Sequence, residues 1–261
     1  MYSQCRNEHS AFTLVELLTL VAIVGILAGL LLAMVVRSKG PARRLQCASN
    51  VRQLGLGLQS FVSENHSYPL LIDPPHGDWM MLLQQNELAA AGNSTNHALA
   101  AEWEGLNIWR CPAVERPSNW PTNRGYLCYG YNWYGLSART DVRSLGLGGH
   151  FVYTGYRLPI PAVSESEVAN PCETIAIGDG FIGGNGALID GTEVLWRTYG
   201  LADYLGSTKR AYARHNGMAN VVFCDGHVES PTLDDLFVST NNAALARWNR
   251  DHQPHREKLS P

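Results

Sequence analysis

The stretch "SAFTLVELLTLVAIVGILAGLLLAMVVRSK", residues 10 to 39, decides the fold. From Leu14 to Val36 it is apolar apart from Thr19 and a single carboxylate, Glu16. At about 1.5 Å per residue, this run of roughly 23 residues makes a helix of about 34 Å, enough to cross a hydrocarbon core of about 30 Å. A secretory signal peptide has a cationic front, an apolar run of only about 7 to 15 residues and a small-residue cleavage site behind it. Here the run is longer and leads into Arg37, Lys39, Arg43 and Arg44. The reading is a single-pass span covering about 14–36. Glu16 is its anomaly: a carboxylate in a bilayer centre costs on the order of 2.5 to 3.5 kcal/mol, so it either snorkels at the interface or has a partner.

The whole chain has 261 residues, a formal net charge of −3 and a pI near 6.3. Residues 67–261, beyond the helix, suit one domain. With 25 glycines, 13 prolines and 16% charged residues, a turn-rich α+β body fits better than a helical bundle. No global basic excess supports a nucleic-acid partner, and the cluster from Arg37 to Arg44 suits lipid headgroups instead. The six cysteines are Cys5, Cys47, Cys111, Cys128, Cys172 and Cys224. They form no CxxC and no paired Cys/His spacing, which argues against a structural zinc site.

Beyond the span, "SKGPARR" predicts a kink or a short unwound stretch at Gly40 and Pro41. The helix then resumes from Leu45 to Glu64, where Ala48, Val51, Leu54, Leu58, Phe61 and Val62 recur at helical spacing and Arg52, Gln53 and Gln59 face away. "ENHSYP" stops it. Residues 78–91, opened by Asp78 and closed at Gly92, predict a second helix. Short β-like pieces follow: "NIWRC", "YLCYGYNWYGL", "GHFVYTGYRL", "TIAIGDG", "EVLWRTYG" and "NVVFC". Their aromatics, such as Tyr129, Tyr131, Trp133 and Tyr134, read first as sheet faces and second as a stacking platform for a ligand. In "ARHNGMANVVFCDGHVES", residues 213–230, Asp225-Gly226 between two apolar pieces predicts a hairpin with a two-residue type I′ turn. His215 lies ten positions before Asp225. No nucleophile-elbow, HExxH or phosphate-cradling pattern accompanies it.

Two of these motifs resemble one family. "AFTLVE", with Phe12 four positions before Glu16, resembles the N-terminus of type IV prepilins and type II secretion pseudopilins. The His215…Asp225-Gly226 arrangement resembles the H-X9-DG motif of many prepilin-like proteins. The resemblance implies a leader at 1–11, removed by a prepilin peptidase between Ala11 and Phe12, with methylation of the new amine. It also implies a long helix over 12–66 on a pilin-like α+β body with an antiparallel sheet. Glu16 would then pair with the N-terminal amine of an adjacent subunit, so that its charge is neutralised only on assembly. Where the family has glycine, this chain has Ala11, which implies slower cleavage or an uncleaved anchor. The basic residues after the span would place the body in the cytoplasm by the positive-inside rule. The family orientation places it in the periplasm or outside, anchored in the inner membrane, and the motif is the more specific signal. A Cys47–Cys111 disulfide is implied by the same resemblance, with buried thiols as the alternative. Calcium is the one cofactor that analogy with pseudopilins suggests, with Asp179, His215, Asp225 and His227 as candidate ligands.

The function expected is that of a structural, non-enzymatic subunit assembled with other pilin-like subunits into a pseudopilus or pilus-like filament. Two alternatives remain: an anchored surface module binding carbohydrate or another surface ligand through the aromatic strands, and a tethered hydrolase using His215 and Asp225.

Overall fold

A computed structural model describes residues 13–70, 72–73, 77–86, 107–113, 129–136, 143–150, 160–180 and 214–259. The expected leader, Ala11 and Phe12, the segments 93–106, 151–158 and 193–200, and Cys5 and Cys128 lie outside the described residues.

The fold is α+β. Helix α1, Leu14–Asn65, is unbroken over 52 residues and runs through Gly40 and Pro41, so the expected unwound stretch is not there. Proline removes one backbone donor, and the helical bonds on either side carry the segment past it. The chain divides into two compact units, Met1–Ala42 and Arg43–Pro261. The second unit thus begins inside the helix, at Arg43. In the first, Leu14–Leu32 is the one stretch among the described residues long and apolar enough to cross a membrane, and none of it is buried. Its N-terminus carries a detail that the sequence reading missed. Thr13 Oγ1 accepts from the Glu16 backbone N–H at 3.3 Å, while Glu16 Oε2 accepts from the Thr13 N–H at 2.9 Å and its hydroxyl at 2.7 Å. This is a reciprocal capping box, signalled by Thr-x-x-Glu ahead of an apolar run.

The second unit is built in three layers. Strands β3 (Tyr129–Tyr131), β4 (Ile175–Asp179), β5 (Val221–Phe223) and β6 (Val228–Glu229) form an antiparallel sheet in that order. A separate two-stranded pair, β1 (Ile72–Asp73) and β2 (Gly77–Asp78), leads into helix α2, Trp79–Asn86, which starts right after Asp78 as expected. "NIWRC" is not a strand: Asn107–Trp109 forms a 3-10 turn. Every residue of β3, β4 and β5 is buried, because both faces of the sheet are covered. On one face pack Cys47, Val51, Leu54, Leu58, Phe61 and Val62 of α1, together with Ala176, Ile177 and Val222. On the other lie Ile175, Val221, Phe223, Leu233 and Trp248, with Leu236 and Phe237 of the helix Asp234–Val238 and Leu245 of α3, Asn242–Ala246. Alternation along β5 sends Val221 and Phe223 to one core and Val222 to the other. In β4 a register shift between Ile175 and Ile177 places two successive residues, Ala176 and Ile177, on the α1 side, as a bulge does.

Contact between α1 and the sheet is close. A Cβ on Gly55 would overlap the Val222 Cγ2 methyl, so glycine is what lets the helix backbone approach β5. At the helix end, His66 adopts φ 52° and its N–H donates to the Val62 carbonyl at 2.7 Å, a left-handed cap on a residue other than glycine. The aromatics considered as a platform are core residues: Tyr129, Tyr131, Trp133 and Tyr134 are 1%, 0%, 5% and 4% exposed. Tyr131 stacks on Trp79 at 5.2 Å between centroids.

Candidate functional site

Four segments distant in sequence deliver a polar cluster to the α1 side of the sheet. Cys47 comes from the first buried turn of α1 in this unit, and Cys111 follows the 3-10 turn that ends at Trp109. Asp179 is the last residue of β4, and His215 sits in the turn before β5. All four are buried, and their ligand-capable atoms lie within 4.8 Å of one another.

Asp179 is the centre. A carboxylate with no solvent exposure must be hydrogen-bonded. Its Oδ2 accepts from the Asn220 backbone N–H at 2.8 Å and from Asn220 Nδ2 at 3.1 Å. Asn220 is held in turn by Ser230, whose hydroxyl donates to Asn220 Oδ1 at 2.8 Å. The Asp179 N–H donates to the Asn220 carbonyl at 2.9 Å, so the pairing of the β4 end with the β5 start fixes the carboxylate. Its Oδ1 accepts from the Cys47 thiol at 3.4 Å, and its Oδ2 lies 3.5 Å from His215 Nε2. His215 Nε2 is also 3.3 Å from Cys111 Sγ, and the Tyr129 hydroxyl is 3.1 Å from Cys47 Sγ. Burial, and next the neighbouring Cys47 and Asp179, hold the Tyr129 hydroxyl far above its ordinary pKa, which leaves it a neutral donor.

His215 reaches this cluster through an unusual backbone. His215, Asn216 and Gly217 take φ of 51°, 56° and 76°, three successive left-handed residues. For a residue with a Cβ this costs on the order of 1 to 2 kcal/mol, retained where the surroundings demand it. Here the turn swings the imidazole inward until its side chain is 1% exposed.

The structure separates the two halves of the H-X9-DG motif. His215 faces Asp179 and Cys111, while Asp225 Oδ1 accepts from the His227 N–H at 3.1 Å and meets His227 Nδ1 at 2.6 Å on the exposed hairpin. Of the candidate metal ligands, Asp179 and His215 come together, and Asp225 and His227 form a pair elsewhere. A His215–Asp225 dyad, as the hydrolase alternative requires, is not built. The hairpin itself is present, with Val222 opposite Val228, but its turn differs from the expected one. The Gly226 N–H donates to the Phe223 carbonyl at 2.9 Å and the Phe223 N–H to the His227 carbonyl at 3.0 Å, closing a three-residue loop. Only Gly226 in that loop has positive φ, at 86°, which is the type I turn plus bulge rather than type I′. Gly226 also lies against the Gln59 side chain of α1, where a Cβ would come within 2.6 Å of Oε1.

Cys47 and Cys111 stand in this one cluster as buried thiols. Each sulfur is turned to another partner, Cys47 to Tyr129 and Asp179, Cys111 to His215. Cys224 stays outside the cluster, and burial pushes its thiol up to about 12. The sequence reading missed the joint role of these four residues, and with it Tyr129 and Asn220. One signal was present: "TIAIGD" ends a wholly apolar strand on a carboxylate, which has to find donors inside the protein.

In comparisons with protein-family models, with curated proteins and with solved structures, nothing matches this chain.

Proposed function

We propose that this chain is a pilin-like structural subunit. It is anchored in the inner membrane by α1 with its body in the periplasm or outside, processed before Phe12 by a prepilin peptidase, and assembled with other pilin-like subunits into a pseudopilus or type IV pilus-like filament. The observation that carries the reading is the division of labour along one unbroken helix. Leu14–Leu32 is apolar and wholly exposed, whereas Cys47, Val51, Leu54 and Leu58 are buried against the sheet. An exposed apolar helix face needs lipid or other copies of itself to cover it. Glu16 stands in the first turn of that face, with its carboxylate engaged by Thr13 within its own chain. Pairing with the Phe12 amine of a neighbour would replace those contacts on assembly.

The capping box makes a clean test possible. Gln serves at the third helical position of such a box as well as Glu does, so Glu16→Gln keeps the helix start and removes only the charge. We expect Glu16→Gln to accumulate in the membrane as wild type does and to drop out of filaments sheared from cells. Assembly at the wild-type level would overturn the charge-pairing mechanism. Mass spectrometry of the protein from membranes containing a prepilin peptidase is expected to find N-methylated Phe12 as the first residue. An intact Met1 chain beside a correctly processed control substrate rules out processing.

A further inference from the structure

We propose that Cys47, Cys111, Asp179 and His215 form a structural zinc site that ties the start of the buried part of α1 to the sheet. The inference does not rest on the pilin-like reading, since all four ligands lie within the second unit.

Donor geometry is the first argument. With Zn–S of about 2.3 Å, Zn–N of about 2.0 to 2.1 Å and Zn–O of about 2.0 to 2.2 Å, the edges of a tetrahedron are about 3.3 to 3.8 Å. The edges present are 3.3 Å for Cys111 Sγ to His215 Nε2, 3.4 Å for Cys47 Sγ to Asp179 Oδ1 and 3.5 Å for His215 Nε2 to Asp179 Oδ2. The first two are edges between prospective ligand atoms, and the third reaches the neighbouring oxygen of the same carboxylate. Asp179 Oδ1 is the oxygen left to bind, because Asn220 holds Oδ2 with two donors.

Donor chemistry is the second. Two sulfurs, an imidazole and a carboxylate suit zinc, and they do not suit calcium, which takes six to eight oxygens. Four protein ligands fill the tetrahedron, which makes the site a closed structural one without an open position for substrate. Zn2+ replaces the two thiol protons, which leave to solvent. The filled centre then holds one dication, two thiolates and one carboxylate, a net single negative charge. Around it stand the donors this charge needs: the Tyr129 hydroxyl at Cys47 Sγ and the Asn220 N–H groups at Asp179. Such outer partners orient the ligands. A disulfide between Cys47 and Cys111 would use the same sulfurs, but it gives no reason for a buried aspartate and a histidine in a costly backbone conformation to converge on them.

The test uses the full chain in detergent, purified under reducing conditions without chelator. Elemental analysis and native mass spectrometry are expected to find about one zinc per chain. Titrating zinc into chelator-treated protein is expected to release about two protons per metal. Co2+ in its place is expected to give the strong visible bands of tetrahedral coordination with thiolate charge transfer. Asp179→Asn and Cys111→Ser, both near-isosteric, are expected to lose stoichiometric metal. Asn220→Ala, acting through Asp179, is expected to weaken affinity about 10- to 100-fold while keeping the thiolate bands. The proposal is overturned by wild-type protein that takes up no zinc on titration, by cobalt bands that persist in Cys47→Ser and Cys111→Ser, or by a Cys47–Cys111 disulfide in non-reduced peptides of protein isolated from cells.

Discussion

His255 shows how a single side chain links the residues of one short segment, 251–257. Its Nε2 lies 2.7 Å from Asp251 Oδ2 and its Nδ1 2.9 Å from Glu257 Oε1. Partial burial disfavours the imidazolium, but the hydrogen bonds to Asp251 and Glu257 outweigh it, and the pKa is raised. A histidine raised above its unfolded value contributes stability that is fully present below about pH 6.5 and is lost as pH rises through the folded pKa. The thermal midpoint of wild type minus that of His255→Gln is therefore expected to shrink as pH rises from 6 to 9. A difference that stays constant across that range would show that the contribution is not ionic. At the same scale, legibility in the sequence was uneven. His215, Asp179, Cys47 and Cys111 were all singled out, but as members of different devices: a motif, a cation site and a disulfide. The absence of CxxC argued against zinc because that rule counts neighbours along the chain. Here the donors are 104 residues apart in one pair and 132 in another, and the packing of α1 and two turns around the sheet brings them together.

Elements were read better than their junctions. The stripe from Val51 to Val62 faces the core and Arg52 and Gln53 face solvent, because helical periodicity records burial directly. Strands β4 and β5 fall inside "TIAIGDG" and "NVVFC" because strands covered on both faces are short continuous apolar runs. The turns went wrong where one backbone choice decides the outcome: "NIWRC" becomes a 3-10 turn, and Asp225-Gly226 closes a three-residue loop rather than a two-residue one. Gly55 tests how closely α1 must approach the sheet. Glycine in a helix is less favourable than alanine by about 1 kcal/mol, so Gly→Ala stabilises a helix where space is free. At Gly40, where nothing lies within 4 Å of an added Cβ, the substitution is expected to be neutral or stabilising. At Gly55 the same methyl meets Val222, fully buried in the central strand β5. Overpacking costs about 1 to 3 kcal/mol and exceeds the propensity gain, so Gly55→Ala is expected to lower the urea midpoint. A rise would mean that helix and sheet can separate without cost.

For the whole molecule, one helix presents two kinds of surface. The first part exposes Leu, Val and Ile on every side, and the later part buries one stripe. The boundary between the compact units, after Ala42, falls just beyond Pro41. Folding of the second unit is expected to depend on zinc if the four buried ligands are filled, because a metal that binds only the native state stabilises it by mass action. At free metal 100 times Kd this amounts to about 2.7 kcal/mol. A chelator such as EDTA is then expected to lower the thermal midpoint of the full chain in detergent and added zinc to restore it. The Asp179→Asn variant is expected to show neither response.

The wide spacing of the cluster also imposes an order in time. A ribosome adding about 5 to 20 residues per second makes Cys47 on the order of ten seconds before His215. During that interval the helix sulfur exists without the imidazole and the strand that will enclose it. A chain released before His215 is made lacks the enclosure that buries the Cys47 thiol in the folded protein. Alkylation of Cys47 would therefore report the chains in which that enclosure is incomplete.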